Sequence, residues 1–152
     1  MNKNISLAFD KCKKENRPAL LTYTVAGDNN KIKSIEILKS ISNYIDICEI
    51  GFAHNTPIAD GGQIQTSTHR ALKNGTKIKD VFQIVNEFKK FQNSKPVILM
   101  GYYNIICQYG ENKFINSCKN FHRQLLTSSA EYTKKLAYSS LSSIVSASIF
   151  LF

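Results

Sequence analysis

Ile5, Ala8, Phe9 and Cys12 fall at i, i+3, i+4 and i+7, the spacing of a helix that covers something with one apolar face. After Pro18 the period changes. Ala19 to Val25 is rich in Leu, Thr, Tyr and Val and stops at Gly27-Asp28, which predicts a short strand. Asn29 or Asn30 can cap a second helix carrying Ile35, Leu38 and Ile41. Ile45 to Ile50 reads as a second strand, and Ala53 to Gly62, with Pro57 and Gly61-Gly62, as a loop. Ile64 to Lys73 returns to helix and ends at Asn74-Gly75, a C-cap signal. Ile78, Val81, Phe82, Val85 and Phe88 mark another amphipathic helix. Pro96 to Met100 is a continuous apolar run, as in a strand buried on both faces of a parallel sheet. Phe114, Ser117, Cys118 and Phe121 suggest one more helix. A helix followed by three strand–helix units predicts an α/β fold with a parallel sheet.

The last third differs in kind. No glycine or proline follows Gly110, and no charged residue follows Lys135. Leu136 to Phe152 mixes serine with Leu, Ile, Val and Phe. The serines and the shortness of the run make it a poor bilayer span, which needs about 20 predominantly apolar residues. It reads as a core-derived or frame-shifted tail.

Composition changes this picture little. The 152 residues are 43% hydrophobic and 20% charged, enough to bury a core. The formal charge of +9 invites a nucleic-acid partner. Almost all of it is scattered lysine, and arginine, which recognises phosphate and guanine bidentately, occurs only at Arg17, Arg70 and Arg123. A solvated lysine surface is therefore expected, with no nucleic acid and no membrane. Cys12, Cys48, Cys107 and Cys118 form no CxxC pair and have no histidine at metal-ligand spacing. Each sits among apolar residues, which predicts small buried thiols in a reducing cytoplasm and no metal site. The start, Met1 to Leu7, has no apolar run long enough for a signal peptide.

Candidate chemistry gathers at one place. Ile45, Ile47 and Glu49 share a face of the second strand by its two-residue period. Burying a carboxylate at the end of an apolar strand is costly and wants a reason. In a parallel α/β barrel the C-terminal strand ends and the loops after them build the active site. Glu49 lies at such an end and Asp60 in the next loop. Two carboxylates in different surroundings can divide acid and base roles.

These residues carry a resemblance. Glu49-Ile50-Gly51 followed by Pro57-Ile58-Ala59-Asp60-Gly61 resembles the signature of tryptophan synthase alpha chains, Glu-Leu/Ile-Gly-x-Pro-Phe-Ser-Asp-Pro-x-Ala-Asp-Gly. Pro18-Ala19-Leu20 through Ala26-Gly27-Asp28 is similar to the family's first strand and turn, and Gln63-Ile64-Gln65 with Arg70 to Gly75 to the helix after the signature. Val97 to Asn104 is similar to the third strand and its loop, and Tyr109-Gly110, Phe114 and Cys118 continue in register.

The resemblance implies a partial (β/α)8 TIM barrel and the retro-aldol cleavage of indole-3-glycerol phosphate to indole and glyceraldehyde 3-phosphate. It implies Glu49 as the acid that protonates the indole ring at C3, and Asp60 as the carboxylate accepting from the ring N–H. Tyr23, Met100 and Tyr102 match positions lining the indole pocket. Thr56, Pro57 and Asn104 match contacts to a beta subunit, in an alpha2-beta2 tetramer. No cofactor is implied for this subunit, since the pyridoxal phosphate of the complex belongs to the partner. The loop departs from the pattern. Ala53 replaces a proline, His54-Asn55 replace Phe-Ser, and Thr56 replaces an aspartate. His54, in a loop, is expected to be solvated rather than a new acid–base group.

The resemblance stops after Cys118, whereas a complete barrel takes roughly 250 residues. Residues 1–118 are thus expected to form part of a barrel, truncated or internally deleted, and residues 119–152 a divergent segment. Phosphate sites in such barrels need glycine-bearing loops after strands seven and eight, and no glycine follows Gly110. The alternative to a lyase is a non-catalytic remnant that at most binds the beta subunit.

Overall fold

The computed structural model describes residues 3–122 and 147–151. The chain begins with α1 (Lys3–Lys14) and continues through β1 (Leu21–Val25), α2 (Lys31–Ile41), β2 (Ile47–Gly51), α3 (Gly62–Lys73) and α4 (Ile78–Lys89). β3 (Val97–Tyr102) leads directly into α5 (Tyr103–Tyr109) and α6 (Glu111–His122), and β4 (Ala147–Leu151) closes the described chain. The sheet order is β1-β2-β3-β4. The first three strands are parallel, as expected of the first units of a barrel, and β4 runs antiparallel along β3.

The strands start slightly later than their apolar runs, and side chains explain the first offset. The carboxylate of Asp46 accepts from the Leu20 N–H at 2.8 Å, removing that donor from the ladder. The Arg17 guanidinium grips the same carboxylate with two bonds of 2.7 and 2.8 Å. This fork joins the exit from α1 to the entry of β2, and it holds the Asp46 carboxyl well below the usual carboxylate range.

The two sheet faces divide the core. Outward, Cys48, Ile50, Val97 and Leu99 pack with Leu38 of α2, Val81, Ile84, Val85 and Phe88 of α4, and Phe114 of α6. Inward, Ile47 and Ile98 are closed off by Ile5 and Ala8 of α1. α1 therefore covers the N-terminal end of the inner face and leaves the C-terminal end for the side chains described below. Asn30 caps α2, its side chain accepting from the Lys33 N–H at 2.8 Å, and Gly75 ends α3 with φ of +74°.

Three expectations are corrected. Phe9 shares the helical period of Ile5 but is 42% exposed, because the buried face of α1 runs through Ile5 and Cys12. Cys107 is exposed and Cys118 half-buried, so only Cys12 and Cys48 are buried thiols. Tyr103-Asn104, read as part of the loop after the third strand, opens a helix that runs to Tyr109. Within the tail Ala147–Leu151 forms a strand, and residues 136–146 and 152 lie outside the described residues. No helix among the described residues is long and apolar enough to cross a membrane.

Candidate active site

Parallel register places the predicted residues on one inner face. Tyr23 pairs with Glu49, and Glu49 with Ile98. Two residues further along, Gly51 pairs with Met100. The two-residue strand period then puts Tyr23, Glu49, Gly51, Met100 and Tyr102 on the same side. Glu49 is half-buried, and burial raises its carboxyl above the ordinary value. Tyr23 is held further from ionisation, first by burial and then by the charges of Asp60 and Glu49. The phenol of Tyr23 thus lies where both carboxylates act on it.

Asp60 reaches this end from the loop after β2. The Tyr102 hydroxyl accepts from the Ala59 N–H at 2.9 Å and lies 3.4 Å from Asp60 Oδ2, to which it donates. Gln65 of α3 donates to the Asp60 carbonyl at 2.8 Å, and the Asp60 N–H donates to the Pro57 carbonyl at 3.1 Å. The carboxylate is therefore carried by a loop pinned to β3 on one side and α3 on the other.

The glycines of this region are spacers. A Cβ at Gly51 would collide with the Tyr23 phenol, and one at Gly101 with the Phe52 ring. Phe52 in turn packs edge-on to Phe114, ring centroids 6.1 Å apart.

The positions that the resemblance matches to partner contacts lie on the rim. Thr56 and Asn104 are exposed and Pro57 is half-buried. Beside them Ile58 is 67% exposed, an apolar side chain that the sequence reading assigned no role. His54 departs from expectation: it is 8% exposed, not solvated. Its ring lies 4.8 Å, centroid to centroid, from that of Tyr102, and its Nε2 is 3.3 Å from Asn104 Nδ2. Burial lowers its pKa, and the charge of Asp60 partly offsets this. The signal was present in the sequence, since an aromatic residue usually occupies this place in the motif it resembles.

Among the described residues no group of three or more His, Cys, Asp or Glu side chains is arranged to hold a metal ion. A cavity of about 620 Å³ lies at the other end of the strands, lined by Leu7, Lys11, Lys89 and Lys95 among others. It contains neither Glu49 nor Asp60 and has no part in this chemistry.

A family model for the tryptophan synthase alpha chain matches residues 9–126. The chain belongs to the tryptophan synthase alpha chain family. It is 76% identical over 115 residues to the tryptophan synthase alpha chain of Pelagibacter ubique, a match covering 76% of this chain and 43% of that protein. It is 41% identical over 107 residues to that of Petrotoga mobilis, covering 70% and 41%. Among solved structures, tryptophan synthase subunit alpha from Legionella pneumophila superposes with a TM-score of 0.74 at 32% identity, over 80% of this chain and 46% of that one. The tryptophan synthase complex from Pyrococcus furiosus gives 0.64 at 40% identity, over 68% and 42%. The chain thus spans less than half the length of the relatives it matches, and the fold is that of part of their barrel.

Proposed function

We propose that this chain supplies the acid–base half of an indole-3-glycerol phosphate lyase site. The observation that supports this reading is that Glu49, paired with Tyr23 on the inner face, and Asp60, bonded to the Tyr102 hydroxyl, come to the same end of the sheet. Cleaving the C–C bond to the indole ring requires a proton at ring C3. Glu49, with its carboxyl raised by burial, is suited to hold and give that proton. A positioned acid of this kind contributes about 10²–10⁴-fold. As positive charge develops on the ring, its N–H becomes more acidic, and Asp60 accepts from it. Fixed charge facing developing charge is commonly the largest catalytic contribution. Tyr23, Met100 and Tyr102 flank the ring.

The rim formed by Thr56, Pro57 and Asn104, with exposed Ile58 beside it, is assigned to a beta subunit in an alpha2-beta2 assembly in the cytoplasm. The subunit itself carries no cofactor. A second reading, a non-catalytic remnant, is favoured by β4, which occupies the edge of β3 in the antiparallel sense where the next strand of a barrel runs parallel.

The test joins residues 1–118 to the corresponding remainder of the Pelagibacter ubique chain and assays indole from indole-3-glycerol phosphate. Indole release that is nearly lost in Glu49→Gln and severely reduced in Asp60→Asn is the expected result. Full turnover in Glu49→Gln refutes the assignment.

A further inference from the structure

We propose that His54 is a positioning residue for this site, its neutral imidazole tying the loop after β2 to the start of α5 and holding Tyr102 against Ala59 and Asp60. The inference rests on the reading of Asp60 as a catalytic carboxylate, but the contacts that carry it are independent of that reading.

The tautomer follows from the Asn104 amide. Its Oδ1 accepts from the Ile105 N–H at 3.0 Å. That bond fixes the flip of the amide, so the Nδ2 donor is the end that faces His54 Nε2. Nε2 must then be the acceptor, and the neutral ring carries its proton on Nδ1. Nδ1 is buried and has no partner among the described residues. A buried donor left unpaired is costly. The ring is nevertheless kept in this orientation, by the Asn104 amide at one side and the Tyr102 ring at its face.

From Tyr102 the chain of contacts continues to the Ala59 N–H and to Asp60 Oδ2. A phenylalanine at position 54 would preserve the ring contact with Tyr102 but not the bond to Asn104. An imidazolium would fail differently, since both of its nitrogens are donors and one would oppose the Asn104 N–H. The ionisable groups bearing on the ring are Asp60 from its own loop and Tyr102 from β3.

The experiment uses the full 152-residue chain and needs no substrate, so it can fail while the indole assay succeeds, and the reverse. Ring nitrogen shifts of His54 are followed by NMR against pH. The Nδ1–H tautomer should dominate at pH 7.5, with a titration midpoint below 6.5. Asn104→Ala should abolish the tautomer preference. Asn104→Asp, which turns the donor into an acceptor, should move the proton to Nε2 and raise the midpoint. In parallel, amide exchange at Ala59 reads the Tyr102 clamp. It should quicken about tenfold in His54→Ala and stay near the parent value in His54→Phe. A dominant Nε2–H tautomer in the parent, a tautomer indifferent to Asn104→Ala, or Ala59 exchange unchanged in His54→Ala would each overturn the proposal. If His54→Ala does not fold, the Asn104 variants still decide it.

Discussion

The Tyr23 phenol fills the space that a side chain at Gly51 would require. Because Tyr23 pairs with Glu49, the missing side chain two residues along the same strand lets the phenol lie over β2, toward the loop that bears Asp60. Gly51→Ala should therefore swing Tyr23 away from both carboxylates. The phenol should then ionise closer to the ordinary tyrosine value, measured as a difference titration against Tyr23→Phe. A Tyr23 titration unchanged in Gly51→Ala would show that the space was not limiting.

Glu49 should trade stability for function. Its folded pKa lies above the ordinary 4.5, so the folded chain holds the proton more tightly than the unfolded chain. Stability thus declines as pH rises through 4.5 to the folded value, and the penalty persists at pH 7. Glu49→Gln removes the ionisation. It should raise the urea midpoint at pH 7 by more than at pH 4, while costing about 10²–10⁴-fold in indole release in the completed barrel.

Asp46 works in the opposite sense. Arg17 and the Leu20 N–H stabilise its charged form and lower its pKa. That stabilisation is complete above the unfolded value of 3.8 and is lost as pH falls below it toward the folded value. Asp46→Asn should weaken the chain at pH 7 and flatten the part of its acid denaturation curve below pH 4. An acid limb of unchanged slope would assign the loss to other carboxylates.

His54 contributes a window nearer neutrality. Its folded pKa lies below 6.5, so the unfolded chain takes up the proton first as pH falls. Stability should drop between 6.5 and the folded value and then level off. His54→Phe should lack that drop, seen as parallel urea midpoints at pH 7.5 and 5.5 after allowance for the other groups.

Gly101→Ala tests the outer face. The added methyl meets the Phe52 ring, which packs on Phe114 in the core. Forcing an extra carbon into a packed core typically costs about 1–3 kcal/mol. A loss of that size in denaturant melts is expected, and Phe52→Leu should recover part of it.

Apolar runs revealed β2 and β3 because burial on both faces leaves few polar positions to blur them, whereas β1, exposed or half-buried up to Val25, was marked by its Leu, Thr, Tyr and Val. Neither signal could place the start of β1, which depends on Asp46 taking the Leu20 N–H from far along the chain. Periodicity overreached at Phe9, since i+4 from Ile5 is compatible with a face that is in fact exposed. It missed α5, where seven residues give too few turns to show a stripe and the cap position is Tyr102. Glu49 and Asp60 were conspicuous as carboxylates at a strand end and in the following loop. His54 was less so: the aromatic residue usual at its place in the motif hinted at burial, but the partners that bury it, Tyr102 and Asn104, are distant in sequence.

β4 makes the growth of this sheet a matter of exchange. A parallel ladder spaces its bonds evenly at a slant, whereas an antiparallel one alternates narrow and wide pairs. Along β3 the second pattern is already written, from Ile98 opposite Leu151 to Tyr102 opposite Ala147. A closed barrel requires a uniform stagger from each strand to the next, which a reversed neighbour does not provide. Any polypeptide that continued the barrel from this half would therefore find the berth taken. Its insertion would require Ala147–Leu151 to give up the edge of β3 first.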